Sequence, residues 1–148
     1  SPMPHPLRTV VLGLGAHWVL CDLLGSSWWA PDLTVLALVL AISDSPDDWP
    51  LPAALVGSLT MAWAVPAPAA VGLWFVAAGA ALALLATRWD LTALRTQLLI
   101  VGLAEACWIV LAAWLFDMRP LLVLGPALLR IGLTVAFVPA GRKLLTGW

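Results

Sequence analysis

The chain has 148 residues, of which 63% are apolar and only 10% are charged, with a net charge of −1 and a mean hydropathy of +1.02. Soluble domains have roughly 25% charged residues, so these charges are too few to cover a water-exposed surface, whereas a lipid-facing surface needs no such cover. The near-neutral balance also provides no basic field for nucleic acid. The composition therefore predicts an all-α integral membrane protein in contact with membrane lipids.

Apolar runs divide the chain into about six predicted transmembrane helices, which form one compact bundle over residues 3–148. Each run is apolar on all sides rather than alternating, which favours helices over the strands of a barrel. Polar or proline-containing turns separate the runs. The predicted spans lie near 9–29, 28–43, 51–65, 69–86, 96–116 and 121–138.

The first span carries His17 and Asp22, which we consider a candidate polar or partner-binding site. Asp22 is expected near the outer interface, where a carboxylate can remain solvated. His17 and Cys21 are four residues apart and therefore share one helix face. Structural zinc needs four ligands, so no metal site is expected here.

Pro31 and Asp32 form a helix-start motif before the second apolar run. Proline is tolerated in the first turn because its missing N–H would be unpaired there, and a carboxylate suits the positive end of the helix dipole. The second and third runs are short for a hydrocarbon core of about 30 Å. Whether they cross fully or re-enter stays open. The polar loop at 44–50 between them is expected to be a solvated turn, with docking of a basic partner segment as the alternative.

Glu105 and Arg130 are predicted to form an intramembrane ion pair between the fifth and sixth spans. They lie at similar distances on either side of the turn near Met118, so antiparallel packing puts both groups at similar depth. A lone charge at that depth is costly. The pair either fixes these two helices together or belongs to a polar functional site, because stability alone is a weak reason for a buried ion pair.

Tryptophan and small residues give further expectations about packing. Five tryptophans are expected at helix ends, where an indole anchors at the headgroup level: Trp28, Trp29, Trp49, Trp89 and Trp148. Five more are expected to pack between helices: Trp18, Trp63, Trp74, Trp108 and Trp114. Small residues permit close helix contact, and internal packing is the favoured use of Gly72, Gly79, Gly132 and Ala136.

The basic residues predict the orientation of the bundle. With a cytoplasmic N-terminus and six spans, only Arg119 falls outside and Arg130 lies within a span, which agrees with the positive-inside rule. The basic residues that fall inside are Arg8, Arg88, Arg95, Arg142 and Lys143. Both termini are therefore expected in the cytoplasm.

The chain contains none of the common catalytic or phosphate-binding motifs, such as a nucleophile elbow, an HExxH helix or a phosphate loop. We therefore expect no enzyme, no catalytic residue, no cofactor and no metal. A transporter pore is also poorly supported, because no clear inverted repeat is visible.

The order of features resembles the MreD family, the rod-shape-determining membrane proteins of the bacterial elongation machinery. The resemblance rests on a short charged start, on Pro31-Asp32 followed by Leu-Thr-Val-Leu-Ala-Leu, on a Gly57-containing third span that ends at a proline turn, and on a last span that runs into the basic Arg142-Lys143. It covers nearly the whole chain.

This resemblance implies a non-enzymatic scaffold subunit of the cell-shape and peptidoglycan elongation complex in the bacterial inner membrane. Its implied partners are an MreC-like single-span coiled-coil protein, the cell-wall synthases and an MreB-like cytoskeleton. The implied fold is similar to the substrate-binding subunits of energy-coupling vitamin transporters, so the alternative function is such a subunit. A subunit of another membrane complex is a third possibility. A scaffold is expected to have a packed centre, and a capture subunit a cavity near the outer face.

Overall fold

The computed structural model describes residues 5–24, 31–61 and 68–146, and within these ranges the chain is helical without any strand. The seven α-helices in these ranges are α1 (His5–Leu24), α2 (Leu33–Asp44), α3 (Pro50–Met61), α4 (Pro68–Ala86), α5 (Leu94–Leu115), α6 (Pro120–Ala136) and α7 (Val138–Gly141). A 3₁₀ turn (Pro46–Asp48) joins α2 to α3, and a π-helical segment (Arg142–Thr146) follows α7.

Four helical stretches in these ranges are long and apolar enough to cross a membrane: Leu7–Leu24, Ala69–Ala86, Leu94–Leu115 and Leu124–Leu144. Helices α2 and α3 are apolar but have only 12 residues each, about 18 Å at 1.5 Å per residue. The architecture is compatible with a membrane helical bundle.

Helix α2 forms the centre of the molecule. Every residue from Thr34 to Ser43 is buried, and α2 contacts α1, α3, α4, α5 and α7. A helix that is apolar on all sides needs such an environment, because it has no polar face to turn toward water. The hairpin α3–α4 and the helices α1, α5 and α7 therefore pack around α2.

Glycines allow two of these contacts to be close. A Cβ atom added at Gly13 of α1 would lie 2.2 Å from the Cβ atom of Ala37 in α2, and one added at Gly79 of α4 would lie 2.6 Å from the Cβ atom of Ala53 in α3. Both distances are far below van der Waals contact, so only glycine fits at these two positions.

Some helices begin or end at residues other than those predicted for the spans, because caps and turns set the ends of these helices. Helix α2 begins at Leu33 rather than near residue 28, because the Asp32 side chain caps its first turn. The basic tail after residue 138 continues as helix, with Arg142 Nη1 donating to Gln97 Oε1 at 2.7 Å and to the Thr92 carbonyl at 2.8 Å. The predicted ends of the first and third spans, 25–29 and 62–65, lie outside the described residues.

Several packing expectations are wrong. Gly132 and Ala136 are exposed, and a Cβ atom at Gly132 would meet nothing within 4 Å, so this small-residue pair does not serve packing inside the bundle. Trp114 is 77% exposed rather than packed between helices, whereas Trp18 is 53% exposed but lines a cavity beside the start of α2. Trp74 and Trp108 do pack together, with ring centroids 5.2 Å apart. Trp28, Trp29, Trp63 and Trp148 lie outside the described residues.

Candidate functional site

A buried triad of charged side chains joins α2, α5 and α6. Arg130 Nε donates to Glu105 Oε1 at 2.6 Å, so the two side chains that the sequence predicts as a pair are in contact. Arg130 Nη2 donates to Asp32 Oδ2 at 2.9 Å. The side chains of Asp32, Glu105 and Arg130 are only 3%, 0% and 12% exposed, so each charge depends on the others for compensation.

Asp32 has two roles, of which the sequence predicted only one. Its Oδ1 atom accepts hydrogen bonds from the backbone N–H groups of Thr34 and Val35, which is the capping geometry expected of an aspartate at a helix start. Its Oδ2 atom accepts from Arg130. The helix-start motif therefore also links the beginning of α2 to the middle of α6.

Thr134 completes this link and was missed by sequence reasoning. Its hydroxyl donates to the Arg130 carbonyl at 2.7 Å and accepts from the Asp32 backbone N–H at 2.8 Å. The available signal was its position four residues after Arg130, on the same helix face. Threonine hydroxyls in helices commonly bond to the carbonyl four residues earlier. The spacing alone therefore could not predict the contact with the Asp32 N–H.

One oxygen of the triad remains unsatisfied. Glu105 Oε2 is fully buried and has no hydrogen-bond partner in the part of the chain that the structure describes. Two carboxylates share one guanidinium, so the triad has a formal charge of −1 when both carboxylates are ionised. A buried net charge is costly, and a proton kept by one of the two carboxylates makes the triad neutral.

A cavity of ≈ 270 Å³ opens beside the triad, at the meeting point of α1, α2, α3, α4, α5 and α6. Its aromatic wall consists of Trp18, Phe75 and Trp108. Its polar groups come from six side chains: His17, Cys21, Asp32, Thr34, Thr60 and Arg130.

His17 has a fixed orientation at this cavity. Its Nδ1 atom accepts a hydrogen bond from the Leu33 backbone N–H at 3.3 Å, and its Nε2 atom lies 3.7 Å from Cys21 Sγ. A ring nitrogen that accepts a hydrogen bond has no proton, so Nε2 carries the proton of a neutral imidazole. His17 therefore both supports the start of α2 and presents a polar group to the cavity.

The other predicted site residues are placed differently. Asp22 is exposed on α1 and does not line the cavity with His17, because a separation of five positions directs the two side chains to different faces of the helix. In the turn between α2 and α3, Asp47 and Asp48 are exposed, which suits a solvated loop. No cluster of three or more potential metal ligands occurs among the described residues.

Comparisons with known proteins gave no match. No protein-family model matches the chain, no curated protein matches it, and no solved structure matches it. Function therefore has to be argued from the triad, the cavity and the sequence pattern.

Proposed function

We propose that this chain is a multi-pass protein of the bacterial cytoplasmic membrane and a non-enzymatic scaffold subunit of the cell-shape and peptidoglycan elongation complex, similar to MreD. In this arrangement α1 to α6 are six spans with both termini in the cytoplasm. The four long apolar helices and the positive-inside distribution of basic residues support it. The short helices α2 and α3, with 12 residues each, reach only part of the way across.

The position of Asp32 carries the scaffold proposal. Pro31-Asp32 is the segment that matches the MreD pattern position by position, and Asp32 joins the start of α2 to α6 through hydrogen bonds with Arg130 and Thr134. A motif that sets the arrangement of helices suits a protein whose work is to present surfaces to partners. The triad groups are directed at one another, which suits holding helices in place.

An MreC-like single-span protein is the proposed direct partner, with the cell-wall synthases and an MreB-like cytoskeleton in the same assembly. Association between helices in lipid depends on close packing rather than on the hydrophobic effect. A scaffold therefore needs its own helices held in one geometry, and the triad supplies a specific and directional link for this.

The cavity favours a second candidate function. In the proposed orientation the cavity lies in the outer half of the membrane, because α2 begins there and α3 ends there. A cavity with a few polar groups near the outer face is expected of a substrate-binding membrane subunit of an energy-coupling vitamin transporter. That function would pair the chain with an ATPase module rather than with cell-wall synthases.

Affinity purification from native membranes in mild detergent, with identification of the co-purifying proteins, tests both functions. The scaffold proposal predicts recovery of a single-span coiled-coil protein together with cell-wall synthases. Arg130→Met should lose these partners because it disrupts the helix arrangement, whereas Arg119→Met, in an exposed turn, should keep them. Recovery of an ATPase module without synthases would overturn the scaffold proposal in favour of the capture subunit.

A further inference from the structure

The charged groups of the cavity beside the triad compensate one another. Among the described residues, Asp32 and Arg130 are the charged side chains of the cavity wall, and they are joined to each other at 2.9 Å. A proton kept by one of the two carboxylates leaves the whole triad neutral. An unpaired charge is costly to transfer into an apolar environment, and the wall offers no uncompensated charge to a cation or an anion. The cavity therefore favours a neutral ligand.

The Thr34 hydroxyl is a polar group of the cavity wall that the described residues leave without a partner. Thr34 is only 6% exposed, and its backbone N–H donates to Asp32 Oδ1 at 3.1 Å. No hydrogen bond joins its hydroxyl to another described residue. A buried hydroxyl without a hydrogen bond is destabilising. Thr34 therefore presents an unfilled hydrogen-bonding position to the occupant of the cavity.

His17 and Thr60 define the polar group that this position can recognise. Because His17 Nδ1 accepts from the Leu33 backbone N–H, the ring proton lies on Nε2, and the Cys21 sulfur 3.7 Å away is only a weak acceptor. Thr60 donates its hydroxyl proton within its own helix, which leaves its lone pairs for a ligand. Together with Thr34, the wall can both donate to and accept from one small group. A neutral amide, with a carbonyl acceptor beside an N–H donor, has this combination.

The aromatic wall sets the shape of the ligand. Rings of Trp18, Phe75 and Trp108 line the cavity, and the Phe75 and Trp108 centroids lie 5.5 Å apart at a tilt of 38°. Aromatic rings pack favourably against further rings in offset-stacked or edge-to-face arrangements. The cavity volume of ≈ 270 Å³ is slightly below the range of about 300–1,000 Å³ typical of drug-sized ligands. A planar ligand with one ring or two fused rings therefore suits both the wall and the space.

We propose that this cavity binds a small, neutral, planar aromatic amide, with its ring against the aromatic wall and its amide group on the side chains of His17, Thr34 and Thr60. The inference goes beyond the scaffold function and needs neither of the proposed partners, because it is drawn from the cavity wall alone. For the second candidate function it supplies the class of substrate. A lipid chain in the cavity would leave the Thr34 hydroxyl without a partner, so this occupant is an outcome of the test rather than the proposal.

Direct binding to the purified full chain tests this proposal. The protein is placed in phosphatidylglycerol nanodiscs, and benzamide, a single aromatic ring with one neutral amide, is titrated by calorimetry. We expect saturable binding at one site per chain. Absence of saturable binding would overturn the proposal.

Three analogues of benzamide separate the features of the ligand. Benzamidine and benzoate keep the ring and nearly the same shape but carry a positive and a negative charge, whereas cyclohexanecarboxamide keeps the amide but has no aromatic faces. Both charged analogues should bind at least about tenfold more weakly than benzamide, because the wall compensates neither charge. The saturated analogue should also bind about tenfold more weakly. Equal affinity of a charged analogue would contradict a neutral site, and equal affinity of the saturated analogue would show a plain apolar recess for a lipid chain.

A matched pair of threonine variants tests the hydroxyl. Thr34→Val keeps the shape of the side chain but removes the hydroxyl, and it should weaken benzamide binding about fivefold, as expected for loss of one neutral hydrogen bond. Its unfolding midpoint should stay unchanged, because this hydroxyl contacts no described residue. Thr87→Val, at an exposed position after α4, should leave the affinity unchanged. Unchanged binding in Thr34→Val would contradict the proposal.

Tryptophan variants test the aromatic wall. Trp108→Leu should weaken benzamide binding about tenfold, Trp108→Phe should retain most of it, and Trp114→Leu, at an exposed position of the same helix, should not change it. Should Trp108→Leu fail to fold, Thr34→Val decides the matter. These measurements involve no partner protein, so they can fail while the affinity purification succeeds. Failure of the ligand proposal and failure of the scaffold proposal are therefore distinguishable.

Discussion

Arg130 compensates two buried carboxylates at once, so its removal should be more costly than that of an ordinary surface ion pair. Arg130→Met leaves Asp32 and Glu105 buried without a cationic partner, which should lower the free energy of unfolding by about 3–5 kcal/mol. The measurement is reversible unfolding in mixed detergent micelles. Arg119→Met, at an exposed turn position, is the control and should change stability by less than about 0.5 kcal/mol. Equal effects of the two variants would contradict the structural role of the triad.

The third member of the triad changes what a charge swap can achieve. For an isolated pair, Glu105→Arg combined with Arg130→Glu should restore the lost stability. Here the swap places a carboxylate at position 130 opposite Asp32, which is 2.9 Å from the present guanidinium. The double variant should therefore remain less stable than the unchanged protein in the same unfolding measurement. Full restoration would mean that Asp32 is not part of the link.

The two roles of Asp32 can be separated by two substitutions. Asp32→Asn keeps an oxygen that can cap α2 but removes the charge opposite Arg130, whereas Asp32→Ala removes both. Loss of an N-cap costs about 0.5–2 kcal/mol, so Asp32→Ala should be less stable than Asp32→Asn by about that amount. Asp22→Asn, on an exposed part of α1, is the matched control for loss of charge. Equal stability of the two Asp32 variants would show that the cap contributes nothing.

At the scale of the helices, close contact of α1 with α2 requires Gly13. Gly13→Ala would bring two Cβ atoms to 2.2 Å, and the neighbour is a short side chain that cannot rotate away. We expect a loss of about 1–3 kcal/mol of stability, as is typical of overpacking. Gly15→Ala on the same helix adds a methyl group where nothing lies within 4 Å, so it should be neutral or slightly stabilising. Equal unfolding midpoints for the two variants would contradict the contact.

The sequence predicted which segments form helices better than it predicted where their faces point. Apolar runs between proline-containing and polar turns identified α1 to α6, because helix formation in such segments depends on local pattern. The central position of α2 could not be predicted from its 12 residues, because burial on all sides depends on what the other helices cover. For the same reason the exposed positions of Trp114 and Gly132 were wrongly assigned to internal contacts.

The site was partly predictable from charge. Glu105 and Arg130 stand out as lone charges in apolar runs, and their positions on either side of one turn are enough to predict contact. Asp32 could be predicted as a helix cap but not as a partner of Arg130, because the two residues are 98 positions apart and meet only through tertiary packing. The same applies to His17, whose contact with Leu33 depends on how α1 crosses α2.

At the scale of the whole molecule, the short helices α2 and α3 explain why a cavity and a charged triad occur together. Helix α2 is about 18 Å long, well below the hydrocarbon thickness of about 30 Å, so it begins within the proposed membrane. Broken or short helices at membrane depth place polar helix ends where ligands and ions can reach them. The triad at the start of α2 and the adjacent cavity are both consequences of this geometry.

The membrane arrangement, on which the scaffold and ligand proposals both depend, is tested most directly by the accessibility of single cysteines in intact cells. Cysteines are introduced one at a time at Asp47, Trp89 and Met118 in a background where Cys21 and Cys107 are replaced by serine. Six spans with a cytoplasmic N-terminus predict that a membrane-impermeant thiol reagent labels only position 118 from outside, and that positions 47 and 89 are labelled only after the membrane is opened. Labelling of positions 47 or 89 in intact cells would contradict the six-span arrangement.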